Sequence, residues 1–144
     1  MKRTPLKRSK KPLRKKAKGR SELVKLIERA DRALQDFYRS LNLECEVCGA
    51  KQEVMHHFIP KSSSFGLRYK PQNLIKLCQK CHARHHLSPD TFVQDTIIIK
   101  RGIAWLKALE ILRLETKGQR PEKEELERIV RIYEIKQKRP DSKL

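Results

Sequence analysis

All five histidines and all four cysteines of this chain fall between Cys45 and His86, and no other thiol or imidazole occurs in its 144 residues. In order they read Cys45-x-x-Cys48, His56-His57, Cys78-x-x-Cys81-His82, His85 and His86, with Asn73 in the gap between the histidine pair and the second cysteine pair. So dense a string of soft ligands points to a middle segment organised by metal, with a structural half made of cysteines and a chemical half made of histidines.

The two Cys-x-x-Cys pairs are separated by 29 residues. Each two-residue spacer forms a knuckle that sets both thiolates on one side of a tetrahedral ion, and four thiolates close the coordination sphere. The expectation is a structural Zn²⁺ on Cys45, Cys48, Cys78 and Cys81, with Gly49 allowing the first knuckle to turn. Two other readings compete with it. A thioredoxin-type redox pair needs only one such motif in a strand–helix unit. Disulfides need an oxidising compartment. No apolar stretch follows the basic residues 1–20 and no run approaches 18 apolar residues, so the expected setting is not a membrane but the cytoplasm of a bacterial or phage-infected cell.

His82 and His86 stand four apart where a short helix is expected over about Gln79 to Leu87, ended by Ser88-Pro89. Residues at that spacing share a helix face, so both can converge on one ion. His56 and His57 lie near the end of an expected strand or hairpin over Glu53 to Lys61. Neighbours in a regular strand point to opposite faces, so for both to serve one site the strand must twist or end there, beside Pro60. Imidazoles with open positions make a catalytic divalent site, and Mg²⁺, Mn²⁺, Zn²⁺ and Ni²⁺ all remain candidates. A second, purely structural zinc is the bland alternative. Asn73, after Pro71-Gln72, also reads as an ordinary turn residue. His85 is expected to be exposed or phosphate-facing, without a metal role.

Lys and Arg number 35 against 17 Asp and Glu, for a net charge of +18. A polyanion, nucleic acid above all, is the partner such a chain attracts. Residues 1–20 hold eleven of the basic residues and no acid, which predicts a disordered arm tracking phosphates, with Lys7, Arg8, Arg14 and Lys15 among its contacts. Around the ligand string, Arg68 and Arg84 are the first choices for substrate contact, though a solvated face is equally compatible with each.

Apolar periodicity gives the rest. Ser21 can cap a helix to about Leu41, within an N-terminal helical unit 21–44, whose stripe is Leu23, Leu26, Ile27, Ala30, Leu34, Phe37 and Leu41. Asn73 to Leu77 is a short apolar run. Beyond the ligand string, over 89–140, Asp90 can cap a helix that Gly102 breaks, a second helix covers Ile103 to Lys117, and a third follows Pro121 with the stripe Leu126, Ile129, Val130 and Tyr133. These C-terminal helices are expected to pack on the core at 45–88, and a homodimer through them is the sharper alternative. Trp105 is expected in the core, while Tyr69 could stack on a base. The pattern is α+β: a small zinc-finger core flanked by helices.

The stretch Cys45–His86 resembles the HNH endonucleases, through His56-His57-Phe58-Ile59-Pro60, Asn73-Leu74 and Leu77-Cys78-x-x-Cys81-His82. The LRY sequence at 67–69 and the basic arm are similar to phage recombination endonucleases of the NinG kind, although His56 and His82 stand where that subfamily has a glycine and an asparagine. The resemblance implies a ββα-metal core on a treble-clef finger. It implies that His57 is the general base, that His56 and His82, with His86, hold the catalytic divalent ion, and that Asn73 braces the loop of the base without touching substrate. It further implies hydrolysis of DNA to 5′-phosphate and 3′-hydroxyl ends, with branched recombination intermediates as the substrate if the narrower likeness holds. A non-catalytic zinc-finger protein binding DNA or RNA shares the charge, the arm and the cysteines, but has no need of His57, Asn73 and His82 together.

Overall fold

Ser21 opens helix α1 (Glu22–Ser40) by accepting a hydrogen bond from the Val24 amide at 3.4 Å, the capping geometry its hydroxyl favours. Asn42, with φ +48°, turns the chain out of the helix and into the first cysteine pair. The computed structural model describes residues 21–87 and 90–138. The basic arm with Lys7, Arg8, Arg14 and Lys15, and the Ser88-Pro89 helix stop, lie outside the described residues.

Two short strands follow, β1 (Val54–His57) and β2 (Leu74–Leu77), paired antiparallel with Val54 opposite Leu77 and His57 opposite Leu74. The sixteen residues between them, 58–73, are turns and bends, closed by a 3₁₀ turn at Pro71–Asn73. Helix α2 (Gln79–His85) then carries the second knuckle into the histidines, and His86 sits at its C-terminal cap. Helices α3 (Phe92–Arg101) and α4 (Ile103–Glu115) are separated by Gly102, whose φ of 84° is a conformation that a side chain disfavours. Helix α5 (Lys123–Lys138) starts two residues after Pro121, with Glu124 and Glu125 in its first turn. Asp90 serves α3 from one position further out than expected: Thr91 is the cap residue, and the Asp90 carboxylate accepts from the Phe92 amide at 2.9 Å.

Three apolar clusters hold these pieces. Helix α5 lies on α1, where Leu126, Ile129, Val130 and Tyr133 meet Ala30, Ala33, Leu34 and Phe37. The Phe37 ring lies 5.1 Å from Tyr38 and 5.5 Å from Tyr133. Fully burying one such side chain is worth about 1.5–3 kcal/mol. Helix α3 closes the side that carries the cysteine pairs, with Val93 and Ile97 against Cys45, Ile75, Leu77, Cys78 and Cys81. Helix α4 places Leu109 against Ile59 and Leu67 of the strand-connecting loop. At the end of α4 the loop and helix backbones touch: a Cβ on Gly66 would lie 2.5 Å from the Thr116 Cβ and 2.7 Å from its carbonyl oxygen, so only glycine fits there.

Polar ties complete the frame. The Gln35 amide bonds both backbone groups of Met55, at 2.6 and 3.0 Å, on the side of β1 away from β2. Arg101 at the end of α3 bonds the Glu46 carboxylate and the carbonyl of Leu74, tying the first knuckle to the sheet. Trp105 is half-buried rather than interior: its ring meets Phe58 edge-on at 4.9 Å and its N–H donates to the Gln72 carbonyl. Tyr69 donates its hydroxyl to the Ile27 carbonyl at 3.3 Å. Leu23, expected on the buried stripe of α1, is 46% exposed, because it looks into a cleft rather than onto α5.

Candidate metal centres and catalytic pocket

The four cysteines converge, with every ligand sulfur within 4.8 Å of the others. The Cys48 and Cys78 sulfurs lie 3.6 Å apart. A tetrahedron with metal–sulfur bonds of about 2.3 Å has edges of about 3.8 Å, so the donor set fits a zinc ion. Burial would raise the Cys45 thiol, but N–H groups of Cys48, Cys78 and Val47 aimed at its sulfur bring it down to about 7. Burial, and after it the neighbouring sulfurs, push Cys81 up. Four thiols so close cannot all ionise unless a cation sits among them.

The second group is His56, His82 and His86, whose ligand nitrogens also fall within 4.8 Å of one another. His82 and His86 approach Nε2 to Nε2 at 3.1 Å. Metal–imidazole bonds of about 2.0–2.1 Å give ligand–ligand edges of about 2.9–3.4 Å for adjacent positions, so His82 and His86 already span one such edge and His56 stands close enough to join them. Burial, reinforced by the charges of His85, His82, His86 and His57, drives His56 down to about 3, and burial with His86 lowers His82. Both shifts favour the neutral imidazole, the form that ligates.

His57, the last residue of β1, is buried and turns to the other side of the strand from His56. Its Nε2 meets the Arg68 carbonyl at 2.7 Å. A carbonyl only accepts, so Nε2 carries the hydrogen and Nδ1 keeps its lone pair. Burial draws the His57 pKa below its ordinary value, more than the Arg68 carbonyl raises it. The strand ends at His57, and this lets both histidines border one cleft although they leave the strand on opposite faces.

Asn73 is fully buried at the start of β2. Its Oδ1 accepts from the Ile59 amide at 2.7 Å, and its Nδ2 donates to the Ile59 carbonyl at 3.0 Å and the Leu67 carbonyl at 3.3 Å. The side chain therefore clamps the strand-connecting loop at two points and faces protein on all sides.

Two expectations for basic residues meet side chains with partners. The Arg68 guanidinium is bidentate to the Asp31 carboxylate of α1, at 2.8 Å through Nε and 2.5 Å through Nη2, and its side chain is 14% exposed. Arg84 pairs with Asp90 and lies over the Phe92 ring at 3.8 Å, though about half of its side chain remains open to solvent. His85 borders the same cleft. It is half-buried, its ring meets His56 edge-on at 4.6 Å, and its Nδ1 is buried without a partner among the described residues.

The cleft has a volume of about 1440 Å³. One wall is α1, through Leu23, Ile27, Asp31 and Gln35, and the histidines form the facing surface. Small-molecule sites run to roughly 300–1,000 Å³, so this open cleft suits a larger substrate. Asp31 and Lys61 were not foreseen as site residues. A signal existed for the first: Asp31 follows Leu23 and Ile27 at successive helical turns, an acid on the face those apolar residues begin.

A family model described as HNH endonuclease matches residues 45–88, less than a third of the chain. No curated protein and no solved structure matches it. Among the described residues, no helix is long and apolar enough to cross a membrane.

Proposed function

We propose that this chain, whose residues 45–88 carry the HNH endonuclease match and a four-cysteine metal cluster, is a metal-dependent endonuclease that hydrolyses DNA phosphodiester bonds. The observation that carries the reading is the juxtaposition of a metal-ready imidazole triad with a separate, tautomer-fixed imidazole on the same cleft. A finger that only binds nucleic acid needs neither.

His57 acts as the general base. Its free Nδ1 takes a proton from water, and the Nε2–H bond to Arg68 holds the ring as the imidazolium forms. The oxygen of that water bonds to phosphorus as the bond from phosphorus to the 3′ oxygen breaks, leaving a 5′-phosphate and, after the 3′ oxygen gains a proton, a 3′-hydroxyl. His56, His82 and His86 would hold the divalent ion. Once bound, such an ion neutralises charge on the scissile phosphate and on the leaving oxygen. Asn73 keeps the loop that presents the Arg68 carbonyl in place. Arg84 and the basic residues 1–20, Lys7, Arg8, Arg14 and Lys15 among them, supply phosphate contacts by charge, while Arg68 serves inside the protein. Branched recombination intermediates are the favoured substrate, on the LRY sequence at 67–69 together with the basic residues 1–20. Exposed Ile99 and Ile103, at the junction of α3 and α4, favour pairing of two chains there.

The test incubates wild type and His57→Ala with supercoiled plasmid and with a four-way junction, each with Mg²⁺, Mn²⁺, Zn²⁺ or Ni²⁺. Wild type cleaves at least one substrate, and His57→Ala loses about 10²–10⁴-fold in rate while binding the same DNA. A wild type inert with every ion returns the protein to the binding class, and an undiminished His57→Ala removes His57 as base.

A further inference from the structure

The loop between β1 and β2 supplies the carbonyl on which His57 rests, and that carbonyl belongs to a residue gripped from two directions. From inside, Asn73 holds the carbonyl of Leu67, the residue just before, and both backbone groups of Ile59. From outside, Asp31 on α1 takes the Arg68 guanidinium with both carboxylate oxygens, and one of these also receives Lys61 at 3.1 Å. Lys61 and Arg68 stand seven residues apart in the same loop, so one carboxylate staples two points of it to α1. Helix α1 is itself fixed to β1 through Gln35, whose amide bonds Met55 two residues before His57.

We propose that Asp31, which lies outside the matched segment, is a positioning residue for His57: by clamping Arg68 it holds the carbonyl that fixes the tautomer and aim of the imidazole. This rests on the reading of His57 as the base. Bidentate guanidinium–carboxylate pairing sets direction as well as distance, and here it constrains a residue whose backbone, not its charged end, is in contact with the catalytic ring. Arg68 and Lys61 together offset the Asp31 charge, so a carboxylate can stand on the wall of a cleft for DNA. Asp31 touches neither water nor phosphate in the reaction, so its loss changes turnover more than binding.

The experiment compares wild type, Asp31→Ala, Asp31→Glu, Arg68→Ala and the double variant Asp31→Ala/Arg68→Ala, each with its zinc retained and folded at the assay temperature. Asp31→Ala lowers kcat about 10–100-fold, as small misplacements of a catalytic group do, with KM within about twofold; Asp31→Glu recovers most of the loss. The double variant is no slower than the worse single one, since both break the same link. An independent readout is the ¹⁵N spectrum of the His57 ring in protein free of divalent ion at the histidine triad. It shows a single Nε2–H tautomer in wild type and a tautomer mixture in Asp31→Ala. Unchanged kcat in Asp31→Ala, additive losses in the double variant, or an unaltered ring spectrum overturns the proposal. So does tighter DNA binding at unchanged kcat, which makes Asp31 a brake on phosphate contact by Arg68. If wild type cleaves nothing but the ring spectrum still responds to Asp31, the endonuclease reading fails while the clamp stands.

Discussion

The Gln35 side chain bonds the Met55 main chain as a neighbouring strand would, donating to its carbonyl at 2.6 Å and accepting from its amide at 3.0 Å. Strand β1 is one half of a two-stranded sheet, and among the described residues its outer edge has no other strand to pair with. A helix side chain takes that place and couples α1 to the histidine-bearing strand.

Gln35→Leu keeps most of the volume and removes both bonds, leaving two backbone groups at a part-buried site unpaired. The expected loss is about 1–3 kcal/mol, measured by denaturant unfolding of the zinc-bound protein. A loss below about 0.5 kcal/mol, the ordinary effect of a surface change, would show that water replaces Gln35 without cost.

The cysteine cluster shares an apolar cluster with Ile75, Leu77, Val93 and Ile97. A metal on these cysteines would therefore support β2 and α3 together. Structural zinc is worth an apparent 10–16 kcal/mol in small fingers, comparable to the whole stability of a domain. Cys81→Ser, or treatment with a strong chelator, should unfold the protein by circular dichroism, whereas His56→Ala/His82→Ala should retain one equivalent of tightly bound zinc. A folded Cys81→Ser protein without zinc would remove the metal's structural role.

Acid dependence offers a check on the clamp from the stability side. Burial would raise the Asp31 pKa, but Arg68 and then Lys61 outweigh it and hold it below the ordinary carboxylate value. A carboxyl group depressed in the folded state gives stability that is complete above its unfolded pKa and is lost as pH falls through the folded one. The stability difference between wild type and Asp31→Asn should hence favour wild type, stay level from about pH 8 to 5, and shrink below about pH 4. A difference that changes between pH 6 and 8 would point to another group.

Residues 2–18 supply charge rather than shape in this reading. If about five of their basic side chains meet phosphates, deleting the segment flattens the slope of log K against log salt by about 4–5. Binding measured between 50 and 200 mM salt with unchanged slope would show that the arm stays off the DNA.

The helices were legible because periodicity and caps are local: Ser21 opens α1, Gly102 parts α3 from α4, and Leu126, Ile129, Val130 and Tyr133 form the buried face of α5. The ligand string was legible because metal chemistry demands residue types at set spacings. What escaped were polar pairs between residues far apart in sequence, Asp31 with Arg68 and Gln35 with Met55, which carry no period. Arg68 read as a phosphate contact because charge alone does not reveal which carboxylate lies opposite. Leu23 read as core because its stripe is continuous with residues that face α5, whereas the cleft takes over at that end of the helix. The contact of His85 with the ring of His56 was not legible either, because a one-residue step from His86 says nothing about which ring lies beside it.

Gly66 rests directly on the backbone of Thr116, the residue that ends α4. Adding or deleting one residue inside α4 swings Thr116 about 100° around the axis and withdraws the seat on which Gly66 lies. The register of a helix remote in sequence from every histidine thereby bears on the loop that carries Arg68, and a one-residue change in its length should disturb that loop more than changes in its outward-facing side chains.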